Sequence, residues 1–400
     1  VPWRMAPRHR RREAAGLPAL QALLALLIAG ARALPATMVA GTTAASRLTG
    51  DAVKSLVPAS APATTMRSCM ATRKNNHPCP PAVGDEGVAA TIADMEAYNC
   101  SLDAERIQVV TRPRPQAGLG MALVKVAYSA VNPVNWKLLL HNMPLVLYPQ
   151  AMGNDFAGTV EEVGAGCDLP VGAEVWGMTT GAYSEYVLAS CPIVGRKPSN
   201  LGMLQSGVMP LVALTGLEAL QWAGAPWTDG PTVLVLGGSG GTGSVALQLA
   251  KAMGAARVIT TCSPSNFDYV RSLGADQVID YHTQNWWEVI PFGVVNVIYD
   301  CVCELGTGDH AYQILADGGR FVTIQNSPLA GAASVAKRPS VHQHSFLLSQ
   351  TGRDQLDILK EIAEAGHLNV TIDSVFGLTS VPSAFNASMT AHTLGKIAID

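Results

Sequence analysis

Beyond about residue 230 the apolar positions of this chain come in short unbroken runs, each followed by a stretch where they recur every three or four places. Val233-Leu234-Val235-Leu236 is the first such run, and residues 244–254 carry the first such recurrence. An unbroken apolar run reads as a strand buried on both faces, and the three-to-four spacing reads as a helix. Further runs at 257–263, 277–281, 294–300 and 319–324 predict strands alternating with helices, with a helix at 211–220 leading in. Such alternation builds a doubly wound parallel sheet.

The pattern before it is different. Ile107-Gln108-Val109-Val110 and residues 122–128 are short strand-like runs, set apart by Arg112-Pro113-Arg114-Pro115 and Gly118-Leu119-Gly120. Two more follow at 158–164 and 173–177, and short, evenly spaced strands with glycine turns predict a small β-barrel. After the parallel sheet, residues 354–365 and 382–391 read as helices, and 368–372 and 395–399 as strands. Lys396 reads as an exposed lysine at a strand end, with a place near the cofactor as the alternative.

Between the run ending at Leu236 and its helix stand Gly237, Gly238, Ser239, Gly240, Gly241, Thr242 and Gly243. Glycines there allow a tight turn, let backbone N–H groups approach a pyrophosphate and let the helix pack close to the strand. A strand, this turn and a helix in that order predict a dinucleotide site. About 20 residues on, NAD binders place an acid on the ribose 2′-hydroxyl. This chain has Thr261, Cys262 and Ser263 there. Without a carboxylate to repel a 2′-phosphate, the expected cofactor is NADPH, with Ser263, Ser265 and Asn266 as candidate contacts. The same residues are good helix-starting chemistry, and both roles can hold.

Composition and charge narrow the class. Charged residues are only 14% of the chain, which argues against a disordered or nucleic-acid-binding protein. The charge is divided, with 11 basic and 4 acidic residues in 1–93 against 16 basic and 26 acidic afterwards. A basic leader on an acidic body reads as an address label. Arg8, Arg10, Arg11 and Arg12, an apolar stretch over 17–29 and Ala31-Arg32-Ala33 have the layout of a signal peptide over residues 1–33. The apolar stretch is short for a membrane span, so no stable span is expected in the mature protein. Residues 34–93 are expected to be a disordered, transit-like leader, rich in Ala, Ser, Thr and Pro and poor in acids. The pair resembles the bipartite leader of algae whose plastids lie inside the endomembrane system, and the secretory pathway is the alternative. The eight cysteines show no C-x-x-C pair and read as reduced core residues; Cys301 and Cys303 share a strand face as packing.

Val131-Asn132-Pro133-Val134-Asn135-Trp136-Lys137, Met152-Gly153-Asn154-Asp155-Phe156-Ala157-Gly158 and Gly181-Ala182-Tyr183-Ser184-Glu185-Tyr186-Val187 stand in that order before the glycine turn. Together they resemble the medium-chain dehydrogenase/reductase superfamily, and most of all its zinc-free quinone oxidoreductase and enoyl-reductase branch. The resemblance covers residues 94–400 and implies an α/β fold: a GroES-like β-barrel domain plus a doubly wound Rossmann domain. It divides the chain into 94–210, first part of the GroES-like domain, 211–345, the Rossmann domain, and 346–400, a return that completes the first. It places Thr215 near the nicotinamide carboxamide and Tyr281 beside the adenosine phosphate, and it sets Asn266 where many relatives have Lys. Zinc-dependent members carry Gly-His-Glu where this chain has Gly153-Asn154-Asp155, so no metal is expected. Asn135 replaces the usual Asp of the zinc-free branch.

The expected activity is NADPH-dependent hydride transfer to a quinone or to the activated double bond of an α,β-unsaturated carbonyl. A trans-2-enoyl thioester reductase and a non-catalytic NADPH-binding protein are the alternatives. Asn132, Lys137 and Tyr148 are the candidate catalytic residues, with Asn132 polarising the carbonyl and Tyr148 a candidate proton donor. The expected partner is a small-molecule substrate, with the chain a monomer or homodimer.

Overall fold

The computed structural model describes residues 65–71, 106–140, 150–325, 328–345 and 352–400. The signal-peptide-like segment 1–33 and Tyr148 lie outside these described residues.

The first strands are β1 (Thr65–Ala71), β2 (Ile107–Pro113), β3 (Met121–Ala130), β4 (Gln150–Ala151), β5 (Asp155–Val163), β6 (Glu174–Met178), β7 (Tyr186–Ser190) and β8 (Val194–Arg196). β1 corrects the expectation of a disordered leader through residue 93. It pairs antiparallel with all of β2 and with β4, and it buries Met66, Ser68, Cys69 and Ala71 while leaving Thr65 and Arg67 exposed. A seven-residue alternation inside an Ala/Ser/Thr-rich tract carries too few large apolar side chains to stand out.

The parallel sheet consists of β9 (Thr232–Leu236), β10 (Arg257–Cys262), β11 (Gln277–Asp280), β12 (Val295–Asp300), β13 (Leu315–Thr323) and β14 (His342–Ser345). Their spatial order is β11-β10-β9-β12-β13-β14, with every pair parallel. The order reverses at β9, and a doubly wound sheet binds its ligand at the carboxyl ends beside that point. β14 is the strand absent from the apolar pattern, because His342-Gln343-His344-Ser345 at a sheet edge has no apolar run to read.

The return supplies β15 (Ile372–Phe376) and β16 (Lys396–Ile399). The strand expected at 368–372 starts at its last residue. Gln248 instead holds Asn369 by both of its backbone groups, and Leu368 and Val370 go into the core as loop residues. β16 pairs parallel with β15 and antiparallel with β3, so the end of the chain enters the first domain's seven-stranded sheet. Just before β16, Gly395 bridges to Gly240 of the glycine turn and donates its N–H to Ser239 O at 3.1 Å. The final strand therefore touches both the glycine turn and the first domain's sheet.

Cys167 and Cys191 are joined by a disulfide, Cα atoms 5.6 Å apart, which corrects the expectation of reduced core cysteines for this pair. Beside it the Arg353 guanidinium forks onto the Asp168 carboxylate at 2.6 and 2.8 Å and donates to the carbonyls of Cys191 and Val194. That clamp fastens the return helix Arg353–Glu364 to the first domain. Among the described residues, no helix is long and apolar enough to cross a membrane.

Candidate active site

β9 runs out at Leu236 into Gly237, whose φ of +77° lies in the left-handed region. A Cβ added at Gly238 would stand 2.1 Å from Thr260 Oγ1, and one at Gly243 would stand 2.1 Å from Gly237 O. Turn, helix and neighbouring strand are packed too closely for side chains. Gly240 is different: its backbone is extended, and a Cβ there would meet only Gly237 O, at 3.6 Å. The helix Gly241–Ala252 starts with no side-chain cap, so its first N–H groups remain available to an anion. These residues fit a dinucleotide pyrophosphate. Thr261, not singled out for this from sequence, steadies the turn by accepting the Gly237 N–H at 3.0 Å.

At the ends of β10 and β11, Ser263 Oγ donates to the Tyr281 hydroxyl at 3.1 Å and lies 3.2 Å from His282 Nε2. The Tyr281 and His282 rings are 4.2 Å apart, and Tyr281 is 53% exposed. The nearby acid, Asp280, turns away, accepting the His282 N–H and the Thr283 hydroxyl, each at 3.0 Å. Asn266 ends the short turn after Ser263 and donates its N–H to Ser263 O at 2.9 Å. The structure thus gathers Ser263, Tyr281 and Asn266 and adds His282, whose only signal in the sequence is its place beside Tyr281. Thr215 is turned inward, its hydroxyl donating to Leu211 O of its own helix at 2.7 Å.

On the first domain's side of the glycine turn lies a buried polar network. Lys396 is 4% exposed, against the expectation of an exposed strand-end lysine. Its ammonium donates to Val131 O at 2.9 Å and Asn132 Oδ1 at 2.6 Å. Asn132, 1% exposed, donates through Nδ2 to Asp155 Oδ2 at 2.7 Å, so both ends of its amide are engaged by protein. Asp155 Oδ1 accepts the Leu211 N–H at 2.7 Å in the first turn of the helix Pro210–Trp222. Burial pushes the Asp155 carboxyl up to about 6, against the pull of Lys396, and pushes Lys396 down to about 8, against the pull of Asp155. The Lys396 stem runs under the cofactor turn, its Cδ 2.7 Å from where a Gly241 Cβ would be.

A second chain of amides adjoins the first. Asn135 Oδ1 accepts the Asn132 N–H at 3.0 Å and the Tyr183 hydroxyl at 3.1 Å, and Asn135 Nδ2 donates to Asn154 Oδ1. Lys137, half-buried on the helix Pro133–Leu140, stands 5.7 Å from the Trp136 ring centroid. Burial lowers its pKa, and the Cys303 thiol beyond β12 is close enough to oppose that shift. Cys303 holds a non-glycine φ of +70°, and its neighbour Val302 packs where a Gly237 Cβ would be. Among the described residues, no group of three or more His, Cys, Asp or Glu could hold a metal ion.

Two family models match the chain: the alcohol dehydrogenase GroES-like domain over residues 118–206 and a zinc-binding dehydrogenase model over 273–399. A 2-methylene-furan-3-one reductase of Solanum lycopersicum is 33% identical over 296 residues, covering 69% of this chain and 71% of its own. An Arabidopsis thaliana protein named NADPH-dependent alkenal/one oxidoreductase, chloroplastic, is 31% identical over 304 residues, covering 71% and 73%. The solved structure of a quinone oxidoreductase from Coxiella burnetii superposes with a TM-score of 0.68 at 25% identity, covering 84% of this chain and 99% of that one.

Proposed function

This chain belongs to the medium-chain dehydrogenase/reductase superfamily, in its zinc-free quinone oxidoreductase-like branch, and we propose that it reduces α,β-unsaturated carbonyls or quinones with NADPH. The observation that carries this reading is the contact of the glycine turn with the buried Lys396–Asn132–Asp155 network, which sets the cofactor seat against a polar wall. Gly237 to Gly243 and the first turn of the following helix would hold the pyrophosphate; Ser263, Asn266, Tyr281 and His282 would hold the 2′-phosphate. Bound there, NADPH would supply a hydride: an enone takes it at the β-carbon and a proton from water at the α-carbon, leaving hydroxide, and a quinone takes the hydride and one proton to give the hydroquinone.

The chain's own part is orientation, water exclusion and stabilisation of the oxygen as it gains charge. Lys137 offers a half-buried cation on the helix Pro133–Leu140 for that charge. The engaged amide of Asn132 gives it the role of holding Lys396 and Asp155 in place. The test is loss of NADPH absorbance with methyl vinyl ketone, benzoquinone and crotonyl-CoA as acceptors, with NADH as control. Turnover of the ketone or quinone with preference for NADPH is expected. Turnover of crotonyl-CoA alone makes the protein an enoyl-thioester reductase, and tight NADPH binding without turnover makes it non-catalytic. His282→Ala is expected to raise KM for NADPH severalfold and leave KM for NADH unchanged, since only the former carries the 2′-phosphate. A plastid address is the matching proposal for the basic, Ser/Thr-rich leader and is supported by the chloroplastic relative. A fluorescent protein carrying residues 1–64 is expected to enter algal plastids.

A further inference from the structure

The orientation of one half-buried amide is dictated by donors and acceptors that leave no choice. The Asn132 N–H is a backbone group and can only donate, so the Asn135 atom 3.0 Å from it must be the oxygen. Tyr183 agrees: burial holds its phenol protonated, and its hydroxyl shares its proton between that oxygen at 3.1 Å and Ala130 O at 3.0 Å. The other end of the Asn135 amide is then the nitrogen, and the Asn154 atom that receives it must be an oxygen. Asn154 Nδ2 is left facing away from the network. It has no partner among the described residues, and it is not sealed off from solvent. Asn154 immediately precedes Asp155 and is bonded to Asn135, so this residue adjoins the network that touches the cofactor turn.

We propose that Asn154 is the catalytic residue that donates a hydrogen bond to the substrate carbonyl oxygen, with Asn135 and Tyr183 as the positioning residues that aim it. The inference rests on the reductase reading. As the hydride's two electrons enter the acceptor, the carbon–carbon π pair shifts and the oxygen becomes an enolate; water then protonates the carbon, and the carbonyl reforms. A neutral N–H donor already aimed at that oxygen stabilises the negative charge without having to reorganise.

Two measurements test it. In the first, kcat and KM are compared for the wild-type protein, Asn154→Ala and Asn135→Asp. With the carboxylate of Asn135→Asp facing it, the Asn154 amide should turn over and present its oxygen to the substrate. Both variants are expected to lose about 100-fold or more in kcat, with KM for NADPH unchanged and a larger isotope effect from deuterated NADPH. In the second, the infrared carbonyl stretch of cyclohexenone is recorded on the protein with oxidised cofactor, where no turnover occurs. It should shift to lower frequency on the wild type and not on either variant.

Retention of kcat in Asn154→Ala, or a carbonyl stretch equal in the wild type and Asn154→Ala, overturns the role of Asn154. Full activity in Asn135→Asp overturns the relay. A shifted stretch with no turnover of any acceptor overturns the reductase reading instead and leaves the donor in place.

Discussion

Lys396 and Asp155 are two buried charges that do not touch, each bonded to one end of the Asn132 amide. Removing one partner of such a pair leaves an uncompensated charge in a low dielectric and costs about 3–5 kcal/mol. Lys396→Met is therefore expected to lose about that much in urea unfolding, and adding Asp155→Asn should recover part of it. With Met at 396 the Asn132 amide can turn and accept from the new amide. The pH dependence follows from the two shifts. Folded Asp155 keeps its proton up to about 6 instead of 3.8, so stability falls as pH rises across that interval. Folded Lys396 loses its proton near 8 instead of 10.5, so stability recovers as pH rises across that one. The double variant should compare best with the wild type between about 6 and about 8 and lose that advantage on either side, as read from unfolding curves at each pH. None of this was visible along the chain, where a single lysine near the end reads as solvated; the groups that bury it lie more than 200 residues earlier.

Among the elements, the β9–turn–helix unit was the most legible, because an unbroken apolar run, five glycines and a helical spacing follow one another without a gap. What the pattern hid is that its glycines do different things. At Gly238 an added methyl would collide with Thr260 Oγ1, whose hydroxyl is held by Val235 O at 2.7 Å and cannot swing aside without losing that bond. Gly238→Ala should cost about 1–3 kcal/mol of stability through overpacking and weaken NADPH binding with it. At Gly240 the backbone suits any residue and the added Cβ has room. Gly240→Ala should unfold like the wild type yet bind NADPH less tightly, because the methyl occupies the face that the pyrophosphate approaches. Thermal melts with and without NADPH separate the two. Equal losses of stability would show that both glycines serve packing. Polar β14 and small-residue β1 escaped the pattern for the opposite reason: each is placed by its sheet partners and carries little apolar periodicity of its own.

For the whole molecule the decisive boundary is where the folded unit begins. Residues 94–400 account for every motif behind the family resemblance, yet the unit that carries them also includes β1. The Cys69 N–H donates to Tyr183 O at 2.8 Å, and Cys69 O accepts the Met152 N–H at 3.1 Å. Arg67 bonds Glu185 through its backbone N–H and through its guanidinium, and Ser68 Oγ lies 2.7 Å from Ser184 Oγ. β1 therefore fixes the segment that carries Tyr183, the first member of the relay to Asn154, and the segment that precedes Asn154 itself. A chain beginning at residue 62 should match the full-length protein in kcat and unfolding free energy. One beginning at residue 94 gives up the burial of Met66 and Cys69, worth about 3 kcal/mol together, as well as these bonds. It should unfold at lower urea, and the part that remains folded should show a depressed kcat, because the Tyr183 segment loses its bond to Cys69. Equal stability and activity for the two truncated chains would mean that β1 is dispensable. Processing that cuts before Thr65 keeps β1 and its bonds to the Tyr183 segment. The small-residue site near Ala33 satisfies that condition, whereas the end expected for the leader at residue 93 does not.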